Sequence, residues 1–200
     1  MAISIDGTGT ITGISVGGLN DSIITSSELA NGAVTAAKID SLPAGSILQV
    51  VTTTKTDTFS ESISSGGHSA NAISCAITPS ATSSKILLIA QLSLSASTSN
   101  KITASLYKDG SKLDAYTGDA ASNRTRTSVA SSIANTWRTT QASPVYLDSP
   151  SSTSEITYSF RLSQGSGTTN TVYLNRSGDD EDQNYQYRTA STIVLLEVAG

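Results

Sequence analysis

The sequence predicts an all-β protein, a jelly-roll-like β-sandwich over residues 46–200, preceded by an extension with a different pattern. Three observations lead there. Apolar runs rich in β-branched residues recur from Ile47 onward and are separated by turn residues. Period-2 alternation is explicit in Ile86, Leu88, Ala90, Leu92 and Leu94, and again in Ile156, Tyr158, Phe160 and Leu162. Ser and Thr supply roughly a third of the chain, far above the usual share, which suits Thr-rich β surfaces and Ser-rich turns. Disordered linkers share that composition, but the regular alternation argues against disorder.

Residues 1–18, MAISIDGTGTITGISVGG, read as one or two short strands broken by Asp6-Gly7 and Gly17-Gly18 turns. The basic and apolar regions of a signal peptide are missing from this start, so none is predicted. Residues 19–45 follow another rule. Leu19, Ile24, Leu29, Val34 and Ile39 are spaced by five, which suits neither a helix nor a strand. A ten-residue echo, ITSSEL against VTAAKI, starts with a capping box of Thr25 and Glu28 and is punctuated by Asn31-Gly32. One-turn helices cannot bury their own apolar residues. Identical segments from other subunits, wrapped around a shared axis, would cover the stripe, so this stretch is read as an intertwined neck. Pro43-Ala44-Gly45 ends it.

The pattern I-T-x-x-E-L-A-x-G-A-V-T-x-x-K-I over Ile24–Ile39, followed by a Pro-Gly step into a β-rich region, resembles bacteriophage tail-fibre and virion-fibre proteins. The end of the chain, Thr189–Val198, is similar to the final strand of many phage fibre tips. The resemblance implies a virion-docking arm at 1–18, an intertwined neck and a knob built as a trimeric jelly roll of the tumour-necrosis-factor type. It also implies a homotrimer, a virion platform protein (tail or capsid) held by the arm, and a place on the particle surface.

Within 46–200 the expected strands are 47–54, 72–78, 85–95, 101–108, 112–116, 125–137, 144–148, 155–162, 171–175 and 191–198. Asp109-Gly110 is the clearest hairpin signal, because both residues tolerate positive φ. About ten strands without a convincing helix make a β-sandwich, most simply a jelly roll. Leu87–Ile89 and Ile193–Leu196 are apolar on both faces, which predicts a sheet covered twice, the second time by a neighbouring subunit. Closure into a trimer would also remove exposed sheet edges.

Several function classes are disfavoured. A net charge of −4 with scattered Lys and Arg gives no basic stripe for nucleic acid. No apolar run approaches the length of a membrane span. Cys75 is a lone thiol in an apolar run and is expected to be buried and inert. His68, in SSGGHSAN, is expected on a mobile, solvated or receptor-facing loop; a catalytic triad would have to use it, and zinc would need more ligands. There is no phosphate-binding loop or dinucleotide fingerprint. No cofactor, metal or catalytic residue is expected.

The sharpest local feature is the acidic run Asp179, Asp180, Glu181 and Asp182, followed by Gln-Asn-Tyr185-Gln-Tyr187-Arg. It reads as a solvated loop or a cation site, without EF-hand spacing. A carboxylate pair flanking a sugar would make a depolymerase, but the chain is short for one. Recognition suits it better: Tyr185 and Tyr187 would share one face of a strand leaving the loop and could stack on sugars. The same tyrosines could instead face the core or a subunit interface, and Trp137 is read as core or interface before a binding platform. Asn123-Arg124-Thr125 and Asn175-Arg176-Ser177 are formal glycosylation sequons. The expectation is a non-enzymatic, homotrimeric phage fibre. Its knob loops, including His68, Asp179–Asp182, Tyr185 and Tyr187, would contact a host surface glycan or outer-membrane receptor during adsorption. A capsid-anchored decoration fibre and a free carbohydrate-binding module or adhesin are the alternatives.

Overall fold

The computed structural model describes residues 42–98, 101–164 and 169–200. The docking arm and the neck residues Leu19, Ile24, Leu29, Val34 and Ile39 lie outside the described residues. Pro43–Gly200 form one compact unit.

The strands are β1 (Ile47–Lys55), β2 (Phe59–Ile63), β3 (His68–Ile77), β4 (Lys85–Ala96), β5 (Lys101–Lys108) and β6 (Ser111–Lys112). They continue with β7 (Val129–Ser132), β8 (Thr140–Ala142), β9 (Val145–Asp148), β10 (Ile156–Ser163), β11 (Asn170–Leu174) and β12 (Ser191–Val198). All their pairings are antiparallel, in two sheets. In the first, the long β4 is the axis. Its first half pairs with β12 and β9, and its second half with β11 and β8. β1 and β2 extend the sheet beyond β12 and β11. The second sheet runs β3-β10-β5, with β6 and β7 both on β5. Strand neighbours therefore alternate between distant parts of the chain: β1-β12-β4-β9 packs over β3-β10-β5-β7. This is the nested Greek-key connectivity of a jelly roll, as the strand count implied.

The core lies between the sheets. Ile86, Leu88, Leu92 and Leu94 of β4, with Ile193 and Leu195 of β12, meet Ile102 and Leu106 of β5 and Tyr158, Phe160 and Leu162 of β10. These are the residues that period-2 alternation places on one face. Cys75 is buried among them. The expected hairpin forms: Lys108 pairs with Ser111, and Asp109 and Gly110 take φ of 49° and 79°.

Other expectations change. Asp114–Tyr116, expected in a strand, form a 3-10 turn. Tyr116 then packs on Tyr146, and its hydroxyl oxygen accepts the Val145 N–H. The expected strand 125–137 shrinks to β7. Before it, side chains replace the ladder: Thr127 Oγ1 donates to the Ala104 carbonyl, and Ser128 Oγ accepts the Leu106 N–H. Ser and Thr hydroxyls compete in this way with main-chain pairing. After β7 the chain turns outward and carries Trp137 to the surface. The short β2 and β8 went unread, since each carries too few apolar residues to signal a strand.

The outer face of the first sheet is open among the described residues. Register places Val50, Leu196, Leu87 and Leu147 in one row across four strands, with Val194, Ile89 and Val145 in the next. Val50, Ile89, Val145 and Leu147 are 42–58% exposed.

Candidate functional site

The acidic run and Trp137 meet at the end of the sandwich where β4 finishes. The chain leaves β11 through Asn175, held at φ 66° and fully buried. Its amide donates to the carbonyls of Lys55 and Asp57 and accepts from Ser191 Oγ. Every polar group of that side chain faces protein, so the formal sequon at Asn175 offers no accessible amide in the folded state. Gly178 comes next, and a Cβ there would lie 2.2 Å from the Ala96 carbonyl oxygen. The close approach lets the Asp179 N–H donate to the Thr136 carbonyl while Thr136 Oγ1 donates to the Asp179 carboxylate. Loop 133–139 is thereby tied to loop 176–188.

The four carboxylates have separate roles. Asp179 is held by Thr136. Asp180 pairs with Arg176 and Arg188, whose backbones also form an isolated bridge. The Glu181 N–H donates to Gln186 Oε1, and the Gln186 N–H returns to the Gln183 carbonyl. Glu181 and Asp182 are exposed, and with Gln183, Gln186 and Tyr187 they line a shallow cleft of about 310 Å³. Among the described residues no three His, Cys, Asp or Glu side chains are placed to share a metal ion.

Tyr185 lies in a turn and Tyr187 just after it, neither on a strand, so the two do not share the expected strand face. Both are about half exposed, as is Trp137, which the sequence reading had placed in the core or an interface. Trp137 and Tyr185 meet edge to face with ring centroids 5.9 Å apart. Together with Arg138 and Tyr187 they line an open cleft of about 440 Å³. Tyr187 belongs to this cleft and to the acidic one beside it. The sequence reading weighed Trp137 as a binding platform but ranked it below core or interface, and it did not single out Arg138; the sole tryptophan beside an arginine in a Thr-rich stretch was the available signal.

His68 stands apart from this cluster. It opens β3 on the other sheet, at the end of the Gly66-Gly67 turn, so it is a strand residue and not part of a mobile loop. Its ring meets Tyr107 at 6.0 Å, and Arg161 covers the other partner of that contact, lying 4.2 Å from the Tyr107 ring centroid. Burial, then the charges of Lys112 and Arg161, hold its pKa below the ordinary histidine value.

No protein-family model matches the chain, and no curated protein matches it. Among solved structures, the chain is similar to the infectious bursal disease virus VP2 subviral particle protein at a TM-score of 0.34 and 14% identity. That match covers 76% of this chain and 38% of the viral one.

Proposed function

We propose that this protein is a non-enzymatic structural component of a virion, a homotrimeric bacteriophage fibre whose jelly-roll knob contacts the host surface during adsorption. The observation that carries the reading is the open apolar face of β1-β12-β4-β9. Two adjacent rows of aliphatic side chains, one across four strands and one across three, form a contiguous patch of the kind that marks an interface. Copies of the same chain are the economical occupants, because a closed ring buries this face on every subunit and leaves no complementary surface free to propagate. The five-residue stripe in the neck calls for the same partner. The fibre resemblance of Ile24–Ile39 supports the virion setting, with the arm at 1–18 held by a tail or capsid platform. The knob's exposed aromatic cleft supports surface-glycan recognition, strengthened by several knobs acting together.

Light scattering of the full chain tests this. The expected mass is three times the 20.5 kDa of one chain. Ile89→Lys combined with Leu147→Lys is expected to lower the mass toward one chain while the far-ultraviolet circular dichroism keeps its β signature. A monomeric wild-type chain would overturn the fibre reading. The exposed Trp137 and Tyr185 would then favour a free carbohydrate-binding module.

A further inference from the structure

We propose that the cleft formed by Trp137, Arg138, Tyr185 and Tyr187 binds an oligosaccharide through a sugar that carries a carboxylate. The inference rests on the glycan-recognition reading above and names the site and the sugar class. Aromatic rings left half exposed are costly in water, and three of them converge here on two loops tied by the Thr136–Asp179 pair. A framework of this kind presents flat apolar surface to the C–H face of a pyranose ring without having to order itself first. The cleft's volume falls within the range of small-ligand sites.

Arg138 sets the charge of the ligand. Nearby Arg176 and Arg188 are both engaged by Asp180, whereas Arg138 is exposed and joins no carboxylate among the described residues. A guanidinium offers a planar fork of donors and no acceptor, which matches a carboxylate in bidentate fashion better than it matches a hydroxyl. The adjoining cleft has the opposite character. Its lining is net acidic: Arg188 is held by Asp180, which leaves the Glu181 and Asp182 carboxylates as acceptors, and Tyr187 is shared by the two clefts. It would repel a second acidic sugar and accept the hydroxyl protons of a neutral one. The combined footprint fits an acidic sugar next to a neutral sugar. The cleft is also clear of the open apolar face: Ala96, beside Gly178, lies seven residues beyond Ile89 on β4, roughly 23 Å at strand rise. Self-association through that face leaves the cleft accessible.

Trp137 is the sole tryptophan, so intrinsic fluorescence of the full-length protein reports directly on the site. The probes are short oligosaccharides in which glucuronate, galacturonate or sialate alternates with a neutral sugar, each beside its carboxyl-reduced counterpart. At least one acidic probe is expected to shift or quench the emission saturably, with its reduced form at least tenfold weaker. Arg138→Ala is expected to weaken the acidic probe about tenfold and the reduced one hardly at all, with the thermal midpoint unchanged. Calorimetric titration of Trp137→Ala, which is silent in fluorescence, is expected to show binding lost. Equal binding of acidic and reduced probes, or an Arg138→Ala loss that is the same for both, overturns the assignment. So does the absence of any response while the protein still adsorbs to host cells, and in that case adsorption uses another surface and the receptor reading survives. Saccharide binding with the predicted Arg138 dependence but no adsorption to cells upholds the site and removes the host-recognition reading instead.

Discussion

Replacement of Glu197 by Gln is expected to destabilise the protein at neutral pH and to leave it nearly unchanged in strong acid. Glu197 sits on the inward face of β12, out of solvent contact, and forms no ion pair among the described residues. Burial pushes its carboxyl up, but hydrogen bonds from Ser80, Ser84 and Gln49 outweigh that and hold its pKa at about 2. One oxygen accepts Ser80 N–H at 2.7 Å and the Ser80 and Ser84 hydroxyls at 2.6 Å. The other accepts Gln49 Nε2 at 2.6 Å. The carboxylate thus fastens β1 and the β3–β4 connection to the last strand.

A depressed carboxyl pKa stabilises the fold above its unfolded value near 4.5, and the contribution is lost as pH falls through the folded value near 2. The full shift corresponds to about 3 kcal/mol, an upper bound because the carboxylate, though sealed from solvent, lies close enough beneath the surface for water to screen it. About half of that should be gone by pH 3. A glutamine at this position can keep its oxygen toward the two serines, but its amide nitrogen then faces Gln49 Nε2. Gln49 cannot turn to help, because the same nitrogen donates to the Thr78 carbonyl. Urea unfolding of wild type and Glu197→Gln, followed by Trp137 emission, is the assay. The expected loss is about 2–3 kcal/mol at pH 7, shrinking to near zero at pH 2. Equal midpoints at pH 7, or a difference that does not change with pH, would refute the reasoning.

Asp148, on β9, accepts from Tyr158 Oη at 2.7 Å and Lys108 Nζ at 2.9 Å, joining the two sheets through a buried phenol. Asp148→Ala should cost about 3 kcal/mol in urea unfolding by stranding both donors, and Tyr158→Phe only about 1. Burial and then the Asp148 hydrogen bond push the Tyr158 hydroxyl far above its ordinary range, so tyrosinate absorbance should not include it until the fold opens. Gly178→Ala must displace backbone at Ala96 and should release loop 176–188, read as a red shift of Trp137 emission. Asn175→Gly keeps the positive φ and loses the three hydrogen bonds, whereas Asn175→Ala loses both. The alanine variant should therefore melt below the glycine one, by about 1 kcal/mol.

Much of the architecture was legible because a strand's side chains alternate wherever the strand is placed. Ile86 through Leu94 and Ile156 through Leu162 point inward as that periodicity requires, and Asp109-Gly110 turns where its backbone freedom allows. Apolar residues on both faces of Leu87–Ile89 and Ile193–Leu196 likewise indicated an apolar outer face, and Val50, Ile89, Val145 and Leu147 stand exposed there. These properties are local, and neighbouring residues carry them.

The rest depended on contacts between residues far apart in the chain. Thr125–Trp137 looked like one long strand, yet Thr127 and Ser128 meet β5 through their hydroxyls and the ladder gives way. The run Asp179–Asp182 looked uniform, but Thr136 takes the first carboxylate and two arginines take the second. Trp137 and Tyr185 lie forty-eight positions apart and meet only because Gly178 lets one loop close on the backbone of another. By itself, the amino-acid sequence determined the long alternating strands, the hairpin and the inward faces, since these follow from backbone geometry and side-chain alternation. Only the tertiary structure decided which charges are neutralised and which aromatic rings are left facing solvent, because burial and pairing are set by whatever the fold brings alongside.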